Sequence, residues 1–302
     1  MSNFYHIKSI AQVHHLFGLE KPLQPLITII KEWPNIDFNF GNTKLISELY
    51  LLGMKGNVRG SFHYGRNSYD YEEGTLAFIA PNQVTSFDNK DAVELDKNGW
   101  NILFHPDLIR KSELGKTIKE YSFFEYDSNE ALHVSDKEKQ ILTELVQRIE
   151  IELEQNIDKH SQELIIVNLE AIMKYCHRYY DRQFYTRTNL NKDFIVRFEQ
   201  FLEVYFASDE LKNKGLPTVK QCGEALNMSG SYLSDLLKLE TGRSAKDHIH
   251  TYIIEKAKTL LLNTNSTVSE VAYDLGFEYP QHFSKLFKSK TGNSPSTYRN
   301  MN

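Results

Sequence analysis

The stretch Thr267-Val-Ser-Glu-Val-Ala-Tyr-Asp-Leu-Gly-Phe-Glu-Tyr-Pro-Gln-His-Phe-Ser-Lys-Leu-Phe-Lys decides the fold of the C-terminal part of this 302-residue chain. Thr267 followed by Glu270 has the spacing of a capping box, in which two side chains satisfy free backbone amides at the start of a helix. Gly276 can take the positive φ at which a helix ends. Pro280 suits the first turn of a new helix, and Gly292 marks its end. The stretch therefore predicts two short helices joined by a tight turn.

The apolar residues of this stretch predict how the two helices pack. Helical spacing gives each helix one apolar stripe. The stripes comprise Val268, Val271, Ala272 and Leu275 on the first helix, and Phe283, Leu286 and Phe287 on the second. Ala272 is small, as a close crossing of two helices requires. Two short helices that cross steeply form a helix-turn-helix motif.

A second copy of the pattern lies about fifty residues earlier in the chain. Thr218 and Gln221 form the matching capping box, Gly223 stands at the position of Ala272, and Ser229 is the expected N-cap of the second helix. A single helical hairpin of this kind is more often structural than DNA-binding. Two copies in series predict a protein that reads two successive turns of DNA.

The segment between the copies, residues 245–263, has apolar residues at helical spacing. A helix of about 18 residues spans about 27 Å, and major-groove faces repeat every ~34 Å. A connecting helix could therefore hold two recognition helices near the separation that DNA requires. Ser294-Pro295 starts a closing helix that runs through Tyr298.

These residues resemble the AraC family of bacterial transcription regulators over residues 210–300. The resemblance rests on residues 271–277 (VAYDLGF), 283–288 (FSKLFK) and 291–299 (TGNSPSTYR). It implies a seven-helix domain in which a long helix joins two helix-turn-helix units. It also implies double-stranded DNA as the partner and contact with RNA polymerase. Transcription activation is the expected mode, and repression stays open.

Three residues depart from the pattern of many family members. Asp235 and Ile253 stand where many members have Arg, and Leu237 stands where many have Phe. Asp235 would face DNA unfavourably unless it accepts a hydrogen bond from a cytosine amino group. The first unit is therefore expected to bind more weakly than the second, or to read different bases.

The residues expected to contact DNA lie towards the start of each second helix, which reaches the base edges. They are Ser229, Ser231, Tyr232, Ser234, Asp235 and Lys238 in the first unit, and Tyr279, Gln281, His282, Ser284, Lys285 and Lys288 in the second. Gln281 suits a bidentate contact with adenine, and Lys285 suits guanine or phosphate. Lys238 and Lys288 are expected to hold phosphates. For each single residue, a solvated helix face is the alternative.

Residues 1–130 have a different pattern, in which short apolar runs alternate with turn residues. The runs cover residues 45–52, 58–64, 76–80, 84–87 and 100–104. Such spacing predicts a β-sandwich or barrel, with a hairpin at Tyr64-Gly65-Arg66-Asn67. The region is similar to the cupin-like sensor barrel that precedes many AraC-type domains. The expected fold class is α+β: an N-terminal cupin-like β-barrel or sandwich, a helical pair, and a C-terminal all-α double helix-turn-helix domain.

The N-terminal region lacks the pattern of a metal site. Cupin enzymes usually carry a His-x-His…Glu…His set, whereas His63 stands alone and Gln83 lies near the position of the late His. A metal site would need three or four ligands. We therefore expect no metal, no cofactor and no enzymatic activity.

Residues 131–186 are predicted to form two helices, the first of which starts with a capping box at Ser135 and Glu138. These helices either dimerise the protein or pad the barrel, and dimerisation is the favoured interpretation. Residues 187–192 are polar and are predicted to be a linker, which leaves 193–302 as the DNA-binding domain.

Composition fits a soluble cytoplasmic protein. The chain is 40% hydrophobic and 25% charged, which is ordinary for a globular protein. Its two cysteines, Cys176 and Cys222, lie in apolar helical patterns and fit a reducing compartment. No signal peptide or membrane span is evident. Residues 191–302 contain 14 Lys and Arg against 13 Asp and Glu, so charge alone does not predict DNA binding.

The leading hypothesis is a homodimeric, sequence-specific transcription regulator modulated by a small-molecule effector or by dimerisation through its N-terminal domain. One alternative is a cupin-type enzyme with a DNA-binding tail. Another is a DNA-repair alkyl acceptor, which would need an activated cysteine. A third is a sensor of the same architecture that has weak or lost DNA binding, to which Asp235 gives some weight.

Overall fold

The computed structural model of the protein describes residues 4–31, 44–54, 61–64, 67–70, 74–86, 99–127, 130–155, 160–186 and 188–301. The chain divides into two compact units, Met1–Thr186 and Arg187–Asn302. Strands lie in the first unit and the second is helical, so the fold class is α+β.

The described strands of the first unit form two five-stranded sheets, with orders β1-β3-β8-β5-β6 and β10-β7-β4-β9-β2. Only β1 and β3 pair in parallel among the described strands. The strands are β1 (Phe4–Ile7), β2 (Ile27–Ile30), β3 (Lys44–Ser47), β4 (Tyr50–Met54), β5 (Ser61–Tyr64), β6 (Asn67–Asp70), β7 (Thr75–Ile79), β8 (Val84–Ser86), β9 (Trp100–Phe104) and β10 (Leu132–His133).

The sheets confirm the predicted hairpin but do not confirm the predicted barrel. Strands β5 and β6 pair antiparallel, with Tyr64 opposite Asn67. The described strands of the two sheets do not join into one closed sheet, so the cupin-like barrel stays a prediction. Most side chains of the central strands are buried, and Leu52, Leu76 and Ile102 are fully so.

Helices of the first unit follow or flank these sheets. They are α1 (Ile10–Leu16), α2 (Pro106–Ile109), α3 (Glu113–Thr117), α4 (Asp136–Glu154) and α5 (Ser161–Thr186), with short 3₁₀ turns at Ile118–Glu120 and Ser122–Glu125.

The long helices α4 and α5 pack against each other and against the sheet. The predicted capping box of Ser135 and Glu138 is confirmed at the start of α4. Arg182 on α5 forms an ion pair with Glu138 and donates a hydrogen bond to the carbonyl oxygen of His133 in β10. These contacts connect α4, α5 and the edge strand β10, so the pair covers the sheet whether or not it also dimerises.

Gln83 has a structural role in the first unit. Its amide oxygen accepts a hydrogen bond from the backbone N–H of Ala80 at 2.6 Å, and its amide nitrogen donates to the carbonyl oxygen of Phe124 at 2.7 Å.

The side chain of His63 lies outside the described residues. Within the described ranges, no group of three His, Cys, Asp or Glu residues is placed to hold a metal ion. Among all the described residues of the chain, no helix is both long enough and apolar enough to cross a membrane.

The described part of the second unit contains eight helices. They are α6 (Thr188–Ala207), α7 (Glu210–Lys214), α8 (Val219–Ala225), α9 (Gly230–Thr241), α10 (Ala245–Asn263), α11 (Val268–Asp274), α12 (Pro280–Thr291) and α13 (Pro295–Met301). The short α7 adds one helix to the seven implied by the family resemblance. Helix α6 covers most of the segment expected to be a linker, and the division between units falls at its start.

Candidate nucleic-acid interface

Helices α8 and α9 form the first helix-turn-helix pair, and its predicted caps are confirmed. Thr218 Oγ1 accepts from the Gln221 N–H at 3.2 Å, and Gln221 Oε1 accepts from the Thr218 N–H at 2.8 Å. Ser229 is the N-cap of α9, where its Oγ accepts from the Tyr232 N–H at 3.1 Å. Gly242 ends α9 in the left-handed conformation. These contacts satisfy backbone groups that helix ends otherwise leave free.

Helices α11 and α12 form the second pair, in which α11 has a capping box whereas the N-cap residue of α12 makes no side-chain capping hydrogen bond. Thr267 and Glu270 make the predicted capping box. Gly276 and Gly292 both have a φ of 80°, which a residue with a side chain rarely adopts. Pro280 is the first residue of α12, as predicted.

The two pairs differ in the turn between their helices. In the first pair, two residues separate the C-cap Leu226 from the N-cap Ser229, whereas three separate Leu275 from Tyr279 in the second. Asn227 takes the left-handed conformation, with a φ of 59°, at the place where the second pair has Gly276. Asn is among the few residues with a side chain that tolerate this conformation.

The shorter turn brings the start of α9 against α8 at Gly223. A Cβ atom at Gly223 would lie 2.6 Å from the carbonyl oxygen of Met228 and 2.8 Å from the backbone nitrogen of Gly230. The second pair accommodates the Cβ of Ala272 at the matching position, where that residue is fully buried. The first pair therefore requires glycine where the second accepts alanine.

The buried faces of α9 and α12 also differ. Helix α9 buries the aliphatic residues Leu233, Leu236 and Leu237. Helix α12 buries Phe283 and Phe287, whose ring centroids lie 5.7 Å apart.

These rings belong to an aromatic cluster at the centre of the second pair. The Phe283 ring contacts that of Phe277 at 5.4 Å, and the Phe287 ring contacts that of Tyr298 at 5.4 Å. Leu286 was expected to be buried with them, but it is only half-buried.

The second pair exposes five of its six expected DNA-contacting residues, from the N-cap of α12 to its last turn. Tyr279, Gln281, His282, Lys285 and Lys288 are exposed. The rings of Tyr279 and His282 contact each other, with centroids 5.4 Å apart. The sixth predicted residue, Ser284, is half-buried. This face of α12 therefore offers an amide, an imidazole, a phenol and two ammonium groups to a partner.

The expectation that the first pair exposes Ser229 and Tyr232 was wrong, because both are buried. Ser229 uses its hydroxyl as the N-cap, and Tyr232 is part of the buried face of α9. Ser234 is half-buried, and its Oγ accepts from the backbone N–H of Ala245 at 3.4 Å, so its hydroxyl is directed towards α10.

The remaining predicted residues of the first pair form a less basic surface than that of α12. Ser231 and Asp235 are half-buried and Lys238 is exposed. The exposed face of α9 thus carries one lysine and one aspartate from the predicted set.

Lys290 has an acidic partner that sequence reasoning missed. The sequence places it beside Lys285 and Lys288, but its Nζ lies 3.1 Å from Oδ1 of Asp247 on α10. Hydrogen bonds from the Ser244 hydroxyl and from Lys290 hold the pKa of Asp247 below its usual range. The capping spacing of Ser244 and Asp247 is visible in the sequence, whereas the partner 43 residues away is not.

Both cysteines are buried and reduced. Burial raises the pKa of the Cys222 thiol to about 12 and also raises that of Cys176. A cysteine nucleophile needs an accessible thiol with a lowered pKa. The setting of both thiols therefore disfavours the alkyl-acceptor alternative.

Comparison with known proteins finds similarity in the C-terminal part of the chain. A family described as a helix-turn-helix domain matches residues 222–301. The HTH-type transcriptional regulator YobQ of Bacillus subtilis is 34% identical over 83 residues, which are 28% of this chain and 34% of YobQ. The HTH-type transcriptional regulator YijO of Escherichia coli is 24% identical over 216 residues, which are 69% of this chain and 72% of YijO.

A solved structure with similarity to this chain is the C-terminal domain of AraT, a response regulator from Geobacillus stearothermophilus. It is 31% identical, with a TM-score of 0.32, and the match covers 36% of this chain and 85% of that domain. The match with YobQ spans only 34% of that relative's length. The C-terminal part of this chain therefore carries a helix-turn-helix domain of the AraC type.

Proposed function

We propose that the protein is a sequence-specific transcription regulator whose two helix-turn-helix pairs read adjacent segments of the major groove. The observation that carries this proposal is the pair of capped helix-turn-helix elements with α10 between them. A recognition helix enters the major groove with the residues near its N-terminus against the bases. Two such helices in one chain suit two successive groove segments.

The two pairs are proposed to contribute unequally. The exposed face of α12 combines Gln281, which can bond adenine in a bidentate manner, with two lysines that attract phosphates. Asp235 on α9 adds a negative charge that disfavours phosphate contact. We assign the larger share of affinity to the second pair, and the first pair extends the site that is read.

The N-terminal unit is proposed to modulate DNA binding through an effector or through homodimerisation, in a cytoplasmic protein that contacts RNA polymerase. Support for a dimer comes from exposed apolar side chains on the helical pair: Ile151 near the end of α4, and Leu164 and Val167 near the start of α5. Exposed apolar groups of this kind mark association surfaces when they lie together.

The proposal is tested by binding the purified full-length protein to a randomised pool of DNA duplexes and sequencing the bound fraction. A motif with two half-sites about 10 base pairs apart is the expected result. A doubled motif would support the dimer. An absence of enrichment would contradict DNA binding by the isolated protein, and a metal assay on the same preparation would then test the cupin-type enzyme.

Lys288→Ala is expected to weaken binding to all DNA sequences alike, because a lysine that holds a phosphate carries no sequence information. The slope of log affinity against log salt concentration should fall by about one unit. Electrophoretic mobility shifts at four salt concentrations measure both effects. Lys174→Ala, a change of equal charge on α5 of the N-terminal unit, is the control, and an unchanged slope for Lys288→Ala would rule out the phosphate role.

Gln281→Ala is expected to cost about 1–3 kcal/mol at a single base position, because a bidentate amide contact discriminates one base pair from the others. Repeating the selection with the variant should relax one position of the second half-site and leave the rest of the motif intact. Lys238→Ala in the first pair is the comparison that should relax no position. A uniform loss over all positions would contradict the assignment of Gln281 to a base.

A further inference from the structure

The first turn of α10 contacts both α9 and α12, the second helix of each pair. Helix α9 ends at Gly242, and Ser244 caps α10 two residues later. The Ala245 N–H at the start of α10 donates to Ser234 Oγ on α9. From the other side, Lys290 in the last turn of α12 reaches Asp247 in the same turn of α10. One helical turn thus contacts both recognition helices.

The carboxylate of Asp247 is held in place by its own helix. Ser244 Oγ donates to Asp247 Oδ2 at 2.8 Å, and Ser244 Oγ also accepts from the Asp247 N–H at 3.2 Å. The second oxygen, Oδ1, is left to accept from Lys290 Nζ at 3.1 Å. Because the carboxylate is held by Ser244, the ammonium group of Lys290 binds at a defined position. In a surface ion pair without such a restraint, both side chains can move.

A second contact joins the α11–α12 pair to the segment that precedes the first pair. The turn at Gly276 packs on Leu211 and Gly215, where a Cβ atom built on Gly215 would lie only 3.2 Å from the Gly276 carbonyl oxygen. This contact is made by backbone and an apolar side chain, and it lies at the opposite end of the second pair from Lys290. The ion pair and the Gly276 contact therefore restrain the second pair at its two ends, while the buried Phe283 and Phe287 hold its centre.

We propose that the Asp247–Lys290 ion pair is a positioning contact that sets the phase of α12 relative to α9 and so selects the spacing between the two DNA half-sites. The proposal rests on the proposed function, since it assigns a spacing to the two helices that read DNA. Neither residue needs to contact DNA in this role. A direct phosphate contact by Lys290 is the competing explanation for its charge.

Breaking the ion pair is expected to change how strongly the protein prefers one spacing between the half-sites over another. Inserting one base pair turns the second half-site by about 34–36° around the duplex, so a rigid pair of recognition helices loses affinity for the altered site. A protein with α12 freed at its C-terminal end loses less. Removing an exposed ion pair should change the binding ratio by about two- to fivefold.

The DNA test compares variants on duplexes that carry the selected motif with zero, plus one and minus one base pair between half-sites. Lys290→Met should weaken binding to the duplex with the natural spacing. It should also lower the ratio of affinities for natural over altered spacing, and the slope of log affinity against log salt concentration should not change. Lys290→Arg should restore the preference. Lys258→Met is the matched control, because Lys258 is 30% exposed against 35% for Lys290 and pairs with Glu255 within α10 alone. An equal loss at all spacings with a lower salt slope would show a phosphate contact and overturn the proposal.

A measurement without DNA separates this proposal from the proposed function. Spin labels on Leu239→Cys and Ser289→Cys occupy exposed, matching positions of α9 and α12 in the full-length chain, and the native cysteines are buried. Pulsed electron resonance should give a narrow distance distribution that Lys290→Met broadens and Lys258→Met does not. An unchanged width in Lys290→Met would overturn the proposal. Broadening together with an empty DNA selection would retain the positioning contact and reject DNA binding.

Discussion

Gly223→Ala should destabilise the first helix-turn-helix pair by about 3 kcal/mol, at the upper end of what overpacking costs. The added Cβ would lie 2.6 Å from the Met228 carbonyl oxygen, 2.8 Å from the Gly230 nitrogen and 2.9 Å from the Ser229 carbonyl carbon. All three are backbone atoms of the turn, so no side chain can rotate away to make room. The turn or the crossing of α8 and α9 must shift.

Urea unfolding of the full-length chain measures this effect. If the two units unfold at different urea concentrations, each transition is fitted separately. The matched control is Ala272→Gly, which removes a Cβ at the corresponding position of the second pair and should cost about 1 kcal/mol through lost helix propensity. DNA selection with Gly223→Ala should recover only the half-site that the second pair reads. Equal stability of Gly223→Ala and the unmodified chain would contradict the close crossing at Gly223.

Phe283→Ala should destabilise the second pair by about 3–5 kcal/mol, the usual cost of removing a buried phenyl ring. Phe283 is fully buried between the rings of Phe277 and Phe287. Its loss leaves a cavity at the centre of the cluster and removes favourable ring contacts from both neighbours. Because the whole exposed face of α12 depends on this packing, DNA affinity should fall with stability.

Calorimetry and DNA binding on the same samples test this expectation. Phe283→Leu is the control, since leucine occupies the matching position 233 of the first pair and fills most of the volume. It should cost less than Phe283→Ala and retain DNA binding at low temperature. An undiminished transition temperature for Phe283→Ala would mean that the second pair is held by contacts other than its aromatic cluster.

The parts of the fold that the sequence predicted well are those that depend on near neighbours in the chain. Capping boxes at Thr218 and Thr267 involve residues three apart, and the left-handed helix end at Gly292 follows from the freedom of glycine. The β5–β6 hairpin likewise joins two adjacent runs. Such features are decided locally, so that a pattern of a few residues is enough to locate them.

The parts that escaped prediction depend on distant residues or on burial. Nothing near Lys290 in the chain shows that Asp247 is its partner. Tyr232 has a polar group and an apolar ring, and only the packed α8–α9 crossing decides that the ring is buried. The separation of the strands into two sheets depends on pairings across the chain, such as β4 with β9. Periodicity along one segment carries no information about these.

The different cores of the two pairs limit how the chain can be redesigned or diversified. Helix α12 carries phenyl rings where α9 carries leucines, and the turns before them differ by one residue. A recognition helix moved from one pair to the other would overfill one core and leave a void in the other. Under the proposed function, new DNA sequence preferences are therefore accessible by substitution on the exposed faces of α9 and α12. Exchange of whole helices between the two pairs is not a route to them.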